Sequence, residues 1–187
     1  MKLRNLLILG ASVASCLTAS ADVVEYTIDP VHSGINFKIR NFVSKVPGVF
    51  TEFQGKIHYD KENPANSKVT ATINADSVDT RNEKRDGHLA NEDFFNVGKF
   101  PTIEFVSTEW TKTGDGTYKV TGTLTMLGVE KPVELEVNFL GEMQARRNTV
   151  SGWEVTTVLD RSDWGMTYGS PATSLEVEVE INIQARR

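Results

Sequence analysis

The amino-acid sequence predicts an all-β domain in which about eight antiparallel strands close into a barrel, with a short helical segment near its mouth. Three observations support this prediction. Apolar and polar residues alternate with a period of two through most of the chain, which is typical of strands with one buried face. Turn-forming residues separate the alternating segments. The chain has 187 residues, the size of one domain, and so many one-sided strands can hide their apolar faces only in a sandwich or a closed barrel.

The strands are recognised by apolar residues that fall on one face. In GINFKIRN these residues are Ile35, Phe37 and Ile39. In PVELEVNF they are Val133, Leu135, Val137 and Phe139. The C-terminal segment shows the clearest alternation, at Leu175, Val177, Val179, Ile181 and Ile183. Further strands are predicted near residues 49–60, 68–75, 102–110, 117–126 and 151–160.

Residues 81–100 break this alternation. The segment is rich in charged residues, and Thr80 or Asn82 could serve as the N-cap of a helix. We therefore predict a short helix or turn that lies over the mouth of the barrel.

The N-terminus resembles a signal peptide. Lys2 and Arg4 precede a short apolar run, and Ala19-Ser20-Ala21 is a pattern that signal peptidase accepts. The run is too short to span a bilayer as a mature anchor. We therefore assign residues 1–21 to a signal peptide and residues 22–187 to a single domain.

Cys16 offers an alternative way of processing the chain. The stretch Val13-Ala14-Ser15-Cys16 resembles a lipobox, in which the cysteine becomes a lipid-modified first residue. Both interpretations place the protein outside the cytoplasm, so we predict a periplasmic location, with an envelope lipoprotein anchored at Cys16 as the alternative. Because Cys16 is the only cysteine, the fold has no internal disulfide.

The charge of the chain argues against some classes of partner. The formal net charge is −5, and removal of the signal peptide with Lys2 and Arg4 takes it to −7. Nucleic acids and anionic membrane surfaces both favour clustered Lys and Arg. The sequence therefore predicts no nucleic-acid partner and disfavours an anionic membrane surface.

Motifs for metal or nucleotide chemistry are absent from the sequence. The three histidines, His32, His58 and His88, show no metal-ligand spacing. No GxSxG elbow, Walker loop or GxGxxG fingerprint is present. We predict no metal and no cofactor, although a site formed in the folded chain from His32, His88 and Asp86 remains an alternative.

The densest group of chemically active side chains is Arg85, Asp86 and His88, just before Leu89. One interpretation is an Arg–Asp pair that closes a loop while Leu89 and the following Phe-Phe pair plug the core. In the other, Arg85 contacts a phosphate or a quinone oxygen at the mouth, and Asp86 and His88 orient it. His32 is either satisfied by backbone groups or donates to the same polar ligand head.

Five blocks in this order resemble the YceI family of periplasmic lipid-binding proteins. They are YTIDPVHSGINFKIRN, GVFTEFQGKIHYD, SVDTRNEKRDGHLANEDFFNVGKFPTIEFVST, VTGTLTMLGVEKPVELEV and LDRSDWGM. The resemblance covers nearly the whole chain after the signal peptide, from about Glu25 to Ile183, and it includes the family's R-D-x-H-L pattern at Arg85–Leu89. Asn41 departs from the pattern, since many members have a histidine there, and this change could shift ligand preference.

The resemblance implies a lipocalin-like barrel whose hydrophobic tunnel holds an isoprenoid chain, such as a polyprenyl phosphate or pyrophosphate, a ubiquinone, or a similar long amphiphile. It also implies a link to stress, and because some members are dimers, a homodimer is open here. We expect the polar end of the ligand at Arg85, Asp86, His88 and His32. We expect the tunnel wall to include Phe37, Ile39, Phe105, Leu124, Val137 and Leu159.

Two other functions remain open. An enzyme could use His88 and Asp86 as acid and base on a lipid head group, for instance as a hydrolase or isomerase, and it would need the two side chains within hydrogen-bond reach. A partner-binding structural domain would instead have an empty or absent pocket and an exposed apolar patch.

Overall fold

The computed structural model describes residues 23–187. The predictions for the signal peptide and for Cys16 lie outside these residues. The described part contains eleven strands and one α-helix, α1, Glu83–Leu89. The first six strands are β1 Val24–Ile28, β2 Gly34–Asn41, β3 Ser44–Phe50, β4 Phe53–Tyr59, β5 Lys68–Asn74 and β6 Val78–Asp79. The remaining strands are β7 Thr102–Gly114, β8 Thr117–Met126, β9 Val129–Gln144, β10 Thr149–Asp160 and β11 Thr173–Arg186.

These strands form one closed antiparallel barrel. β1 and β2 follow each other along one side of β11, at Thr27↔Arg186 and at Val177↔Ile39, and so act as one interrupted strand. β3 with β4, and β5 with β6, are interrupted in the same way. The sheet therefore has eight long strands that pair in chain order, and pairing of the first with β11 closes the ring. The predicted eight-stranded barrel is confirmed.

The strand predicted near residues 49–60 differs in detail, because it breaks between β3 and β4. At this break the backbone forms hydrogen bonds with the break between β5 and β6. Thr51 N–H donates to Ser77 O at 3.1 Å, and Asn74 N–H donates to Glu52 O at 2.9 Å. The break between β3 and β4 and the break between β5 and β6 thus lie side by side, and these backbone groups stay paired.

The helix lies at the rim predicted for it. Asn82 is the N-cap, and its side-chain oxygen accepts from Arg85 N–H at 3.0 Å. β6 pairs with β3 but not with β7, so α1 and the loop that follows it lie where the barrel wall is open between these two strands.

The opposite rim is filled by an aromatic cluster. Its members are Tyr59, Trp110, Tyr118, Phe139 and Trp153. Their polar atoms are satisfied within the cluster and its surroundings: the Tyr59 and Tyr118 hydroxyls lie 2.7 Å apart, and Trp153 Nε1 donates to Ser151 Oγ at 3.0 Å. Burial, followed by the bond to Tyr118, raises the pKa of Tyr59 well above its ordinary value. This end of the barrel is therefore closed by a plug of aromatic side chains.

Within residues 23–187, every helix is too short or too polar to cross a bilayer.

Candidate ligand cavity and its rim

The barrel encloses a cavity of about 450 Å³, a volume typical of small-molecule sites. The inward residues of the strands form its wall. In β8, for example, Val120, Leu124 and Met126 are buried, whereas Thr121, Thr123 and Thr125 on the other face are less so. The deep end reaches Trp110 and Trp153 of the aromatic plug. The wall is apolar because each strand contributes its apolar face.

All six residues predicted for the tunnel line this cavity: Phe37, Ile39, Phe105, Leu124, Val137 and Leu159. They come from β2, β7, β8, β9 and β10, so they surround the cavity rather than occupying one side of it. Their role in holding a ligand stays a prediction.

Most polar lining residues gather at one rim; Thr157, within β10, also lines the cavity, and its hydroxyl donates to Glu134 O at 2.8 Å. This rim is formed by the end of β2, the start of β11, the helix α1 and the segment after β10. Its polar members are Asn41, Thr80, Arg85, His88, Arg161, Tyr168 and Thr173. The cavity is thus an apolar tunnel with one polar end.

Arg85 and Asp86 both bind Thr80 rather than each other. Arg85 Nε donates to Thr80 Oγ1 at 2.6 Å, and Nη2 donates to Thr80 O at 2.7 Å. Asp86 Oδ1 accepts from Thr80 N–H at 2.9 Å and from the Thr80 hydroxyl. Arg85 lines the cavity, but Asp86 is not among the lining residues. Asp86 therefore fixes the start of the helix, while Arg85 presents its guanidinium to the rim.

His88 also lines the cavity, and it belongs to a triangle of rings at the rim. Its ring centroid lies 5.1 Å from that of Phe94 and 5.0 Å from that of Tyr168. Its Nε2 lies 2.9 Å from Asp93 Oδ2. The acid–base pair that the enzyme hypothesis needs, His88 with Asp86, is not formed, because Asp86 is engaged by Thr80.

His32 lies away from the rim, in the turn between β1 and β2. Its Nδ1 lies 2.6 Å from Asp29 Oδ2, and the same carboxylate accepts from Arg186. Burial on its own would raise the pKa of Asp29, but the His32 hydrogen bond, the Val31 N–H and the Arg186 charge more than offset it and lower that pKa. His32 is not among the residues that line the cavity. It fastens the turn to β11 instead.

Arg161 is the rim residue to which the sequence assigned no role. Its side chain is 97% buried, since its relative exposure is 3%. The guanidinium donates at 2.8 Å to the carbonyls of Ser174, Met166 and Tyr168, and at 3.4 Å to that of Thr173. The only signal in the sequence was its place in the LDRSDWGM block.

The charge of Arg161 is unusual for a buried group. Within residues 23–187 no carboxylate lies at ion-pair distance from it. Burial lowers the pKa of the guanidinium, and the charge of Asp160 partly offsets this effect. An arginine nevertheless remains charged at neutral pH. The rim therefore carries a cation that is stabilised by backbone carbonyls and by the Phe94 ring, whose centroid lies 6.0 Å from the guanidinium carbon.

Asn41, the departure from the family pattern, lies at the same rim. Its Oδ1 accepts from Thr173 Oγ1 at 3.0 Å, and it lines the cavity. Its amide group therefore faces the polar end of the cavity.

No group of three or more His, Cys, Asp or Glu side chains converges to hold a metal ion in the part of the chain that the structure describes.

A closed antiparallel barrel with an apolar interior and one polar rim defines a class of small-molecule binding proteins. The YceI-like domain model matches residues 26–185. The chain is 38% identical to the UPF0312 protein of Ectopseudomonas mendocina, over 97% of this chain and 95% of the relative. It is also 38% identical to Protein YceI of Salmonella newport, over 95% of each. The chain belongs to the YceI family.

Solved structures share the fold. A YCEI protein of Campylobacter jejuni superposes with a TM-score of 0.72 at 29% identity, over 78% of this chain and 86% of that one. A polyisoprenoid binding domain from Saccharophagus degradans superposes with a TM-score of 0.66 at 15% identity, over 86% of this chain and 97% of that one.

Proposed function

We propose that the protein binds an isoprenoid lipid, such as a polyprenyl phosphate, a polyprenyl pyrophosphate or a ubiquinone, and shields its apolar chain from water. The observation that carries this proposal is the apolar cavity of about 450 Å³ with polar lining gathered at one rim. The name of the Saccharophagus degradans domain supports the choice of an isoprenoid among long amphiphiles. The protein acts as a binding module and not as an enzyme.

The energetics favour an amphiphile with a long apolar chain. Removing apolar surface from water contributes roughly 25 cal/mol for each Å², or about 0.8 kcal/mol for each CH₂ group. The wall between Trp153 and Ile39 offers few polar partners along its length, so a polar ligand would lose its hydration without replacement. Affinity therefore comes from the chain, and the head group sets the orientation.

The head group lies at the rim, where Arg85 lines the cavity and the buried guanidinium of Arg161 adds positive charge. Arginine donates two parallel hydrogen bonds to a phosphate, and it also donates to a quinone carbonyl. The aromatic plug at the other end offers no charged group, so an anionic head has no counterion there. The lipid consequently enters with its chain first.

The N-terminal sequence supports a periplasmic compartment for the protein. The basic start, the apolar run and the Ala19-Ser20-Ala21 pattern support export to the periplasm. An exported isoprenoid carrier would serve the cell envelope, and we include in the proposal a role in the stress response.

The first test is native mass spectrometry of the protein purified from its own cell envelope, followed by denaturation and identification of any released molecule. A prenyl lipid or quinone bound at one molecule per chain is the expected result. A mass without ligand, unchanged after incubation with polyprenyl phosphates and ubiquinone, would overturn the proposal. The same spectrum reports where the N-terminus is cut.

A pair of neighbouring substitutions places the ligand in the cavity. Ala71 lines the cavity, whereas Thr70, the residue before it on β5, is exposed on the outer face. Ala71→Trp fills part of the tunnel and is expected to abolish lipid retention. Thr70→Trp adds the same indole outside the barrel and is expected to retain the lipid, so equal retention by both variants would place the ligand elsewhere.

A further inference from the structure

We propose that the tip of the β2–β3 hairpin, Phe42-Val43, docks the rim of the cavity onto the surface of a lipid bilayer that contains anionic lipids. This inference goes beyond lipid binding, because it assigns a second surface of the protein to a second interaction.

The tip is apolar and projects into solvent. Phe42 is 67% exposed and Val43 is 99% exposed. The tip is also part of the rim: Phe42 N–H donates to Ala172 O at 2.7 Å, and the neighbouring Asn41 lines the cavity. A membrane that receives this tip therefore lies next to the polar end of the tunnel.

The backbone conformation of this turn disfavours a bulky apolar residue at Phe42. Asn41 pairs with Ser44, so Phe42 and Val43 form a two-residue hairpin loop. Phe42 adopts a φ of 51°, in the left-handed region where glycine or asparagine is preferred. A bulky apolar side chain at this position is unfavourable both for the backbone and for solvation. Because Phe42 is 67% exposed, the fold buries little of its ring, which points to a contact with an apolar phase outside the protein.

The charge around the tip complements an anionic surface. The stretch from Gly34 to Phe50 contains Lys38, Arg40 and Lys45 and no acidic residue, although the chain as a whole is acidic. Lys38 and Lys45 have carboxylate partners on β11. Arg40 is exposed, and its Nη1 donates to the carbonyl of Phe42 at 2.7 Å.

Arg40 is therefore available to lipid phosphates. No carboxylate within residues 23–187 lies at ion-pair distance from it. An apolar wedge flanked by basic side chains is the composition that binds at the membrane interface. The net charge of the sequence disfavoured an anionic membrane surface, but the fold leaves Arg40 without a carboxylate partner beside this apolar tip, while Lys38 and Lys45 pair with Glu180 and Glu178.

Docking through this tip shortens the path of a lipid from the bilayer to the cavity. With the tip in the head-group layer, a lipid leaves the bilayer close to Asn41 and Tyr168 and enters the cavity without exposing its full chain to water. Tyr168 is 51% exposed and also lines the cavity, so its amphipathic ring suits the interface.

The test uses co-sedimentation of the protein, as the host cell processes it, with phosphatidylcholine vesicles that contain or lack phosphatidylglycerol. The variant Phe42→Asn/Val43→Ser removes the wedge while giving the left-handed position a residue that tolerates it. It is expected to fold at least as stably as the wild type and to bind vesicles about tenfold more weakly, equal to about 1.4 kcal/mol. Arg40→Gln is expected to weaken binding only to vesicles with phosphatidylglycerol.

Val31→Ser is the matched control. Val31 is 83% exposed, but it lies in the β1–β2 turn, beyond the far end of β2, which is about 23 Å long at about 3.3 Å per residue. This variant is expected to bind vesicles like the wild type. Equal binding by the tip variant and the control, or no binding by the wild type to either vesicle, would overturn the proposal.

Lipid retention measured by native mass spectrometry on the same samples separates the two proposals. The tip variant is expected to retain the lipid of the wild type. A wild-type protein that binds vesicles through the tip but retains no lipid would overturn the carrier function and leave the docking surface standing. If the wild type stops binding vesicles once a co-purified protein is removed, the bilayer is not the partner of the tip, and the docking proposal is overturned.

Discussion

Arg161→Leu is expected to destabilise the barrel strongly, because it removes the donor that four backbone carbonyls share. These are the carbonyls of Ser174, Met166, Tyr168 and Thr173, and they belong to the segment that leads from β10 into β11. The leucine fits the apolar wall beside the rim but offers no hydrogen bond. The segment would then lose its attachment to the rim.

The expected magnitude follows from these bonds. A buried acceptor left without its partner costs about 1–3 kcal/mol, and three of the bonds are 2.8 Å long. Removing the buried charge also removes its unfavourable desolvation energy, which offsets part of this loss of stability. We therefore expect a decrease of about 3–5 kcal/mol in the free energy of unfolding, near the upper end for single substitutions. For a domain of this size, that loss lowers the Tm by about 6–20 °C.

Urea denaturation followed by far-UV circular dichroism measures this change on protein freed of lipid. Arg146→Leu is the control, since Arg146 is exposed in the turn between β9 and β10, and it is expected to change the free energy by less than about 0.5 kcal/mol. A loss of less than about 1 kcal/mol for Arg161→Leu would refute the reasoning, because the carbonyls would then be satisfied without the guanidinium. Arg161→Lys is expected to lie between, since one ammonium group cannot reach all four carbonyls.

Three further predictions concern the wall, the rim and the far end of the barrel. Gly122→Ala is expected to lower the free energy of unfolding, measured by urea denaturation, by about 2 kcal/mol. The added Cβ would lie 2.5 Å from a ring carbon of Phe105 and 2.7 Å from a backbone carbonyl oxygen. An unchanged denaturation midpoint would contradict this prediction. Asp86→Ala leaves the buried Thr80 N–H without an acceptor. We expect the free energy of unfolding to fall by about 1–3 kcal/mol and the Thr80 amide to exchange its hydrogen faster. An unchanged exchange rate would show that Asp86 does not protect this amide. Burial and the Glu142 carboxylate raise the pKa of Tyr26 from 10.0 to about 12, so the unfolded chain loses this proton first as the pH rises. The contribution to stability is intact below pH 10 and falls by up to about 3 kcal/mol by about pH 12. Tyr26→Phe is expected to flatten that decline in thermal melts, and an unchanged decline would assign it to another group.

The family blocks and the period-two alternation were sufficient to predict the cavity wall. Phe105 and Leu124 line the cavity because alternate residues of a strand point to the same face, and this rule needs no tertiary information. The strand break at Thr51-Glu52 could not be predicted in the same way. It depends on hydrogen bonds to Ser77 and Asn74, which lie more than twenty residues further along the chain.

At the polar end, some residues could be placed from the sequence and others only from the structure. The local cluster at Arg85 and His88 was visible as adjacent charges, and the structure places both at the rim. His32 looked equivalent in the sequence, yet its turn packs against β11, where Asp29 and Arg186 engage it. No local pattern distinguishes a histidine at the mouth from one at a turn outside the wall.

By itself the sequence determined the barrel class, the inward face of each strand and the family, because these depend on periodicity and local motifs. Only the tertiary structure decided which polar residues meet. Arg161 reaches the rim because β10 ends beside the start of β11, and Phe42-Val43 lies next to the cavity because β2 ends where Thr173 begins that strand. Such proximity arises from the closure of the sheet, and the closure joins residues that are far apart in the chain.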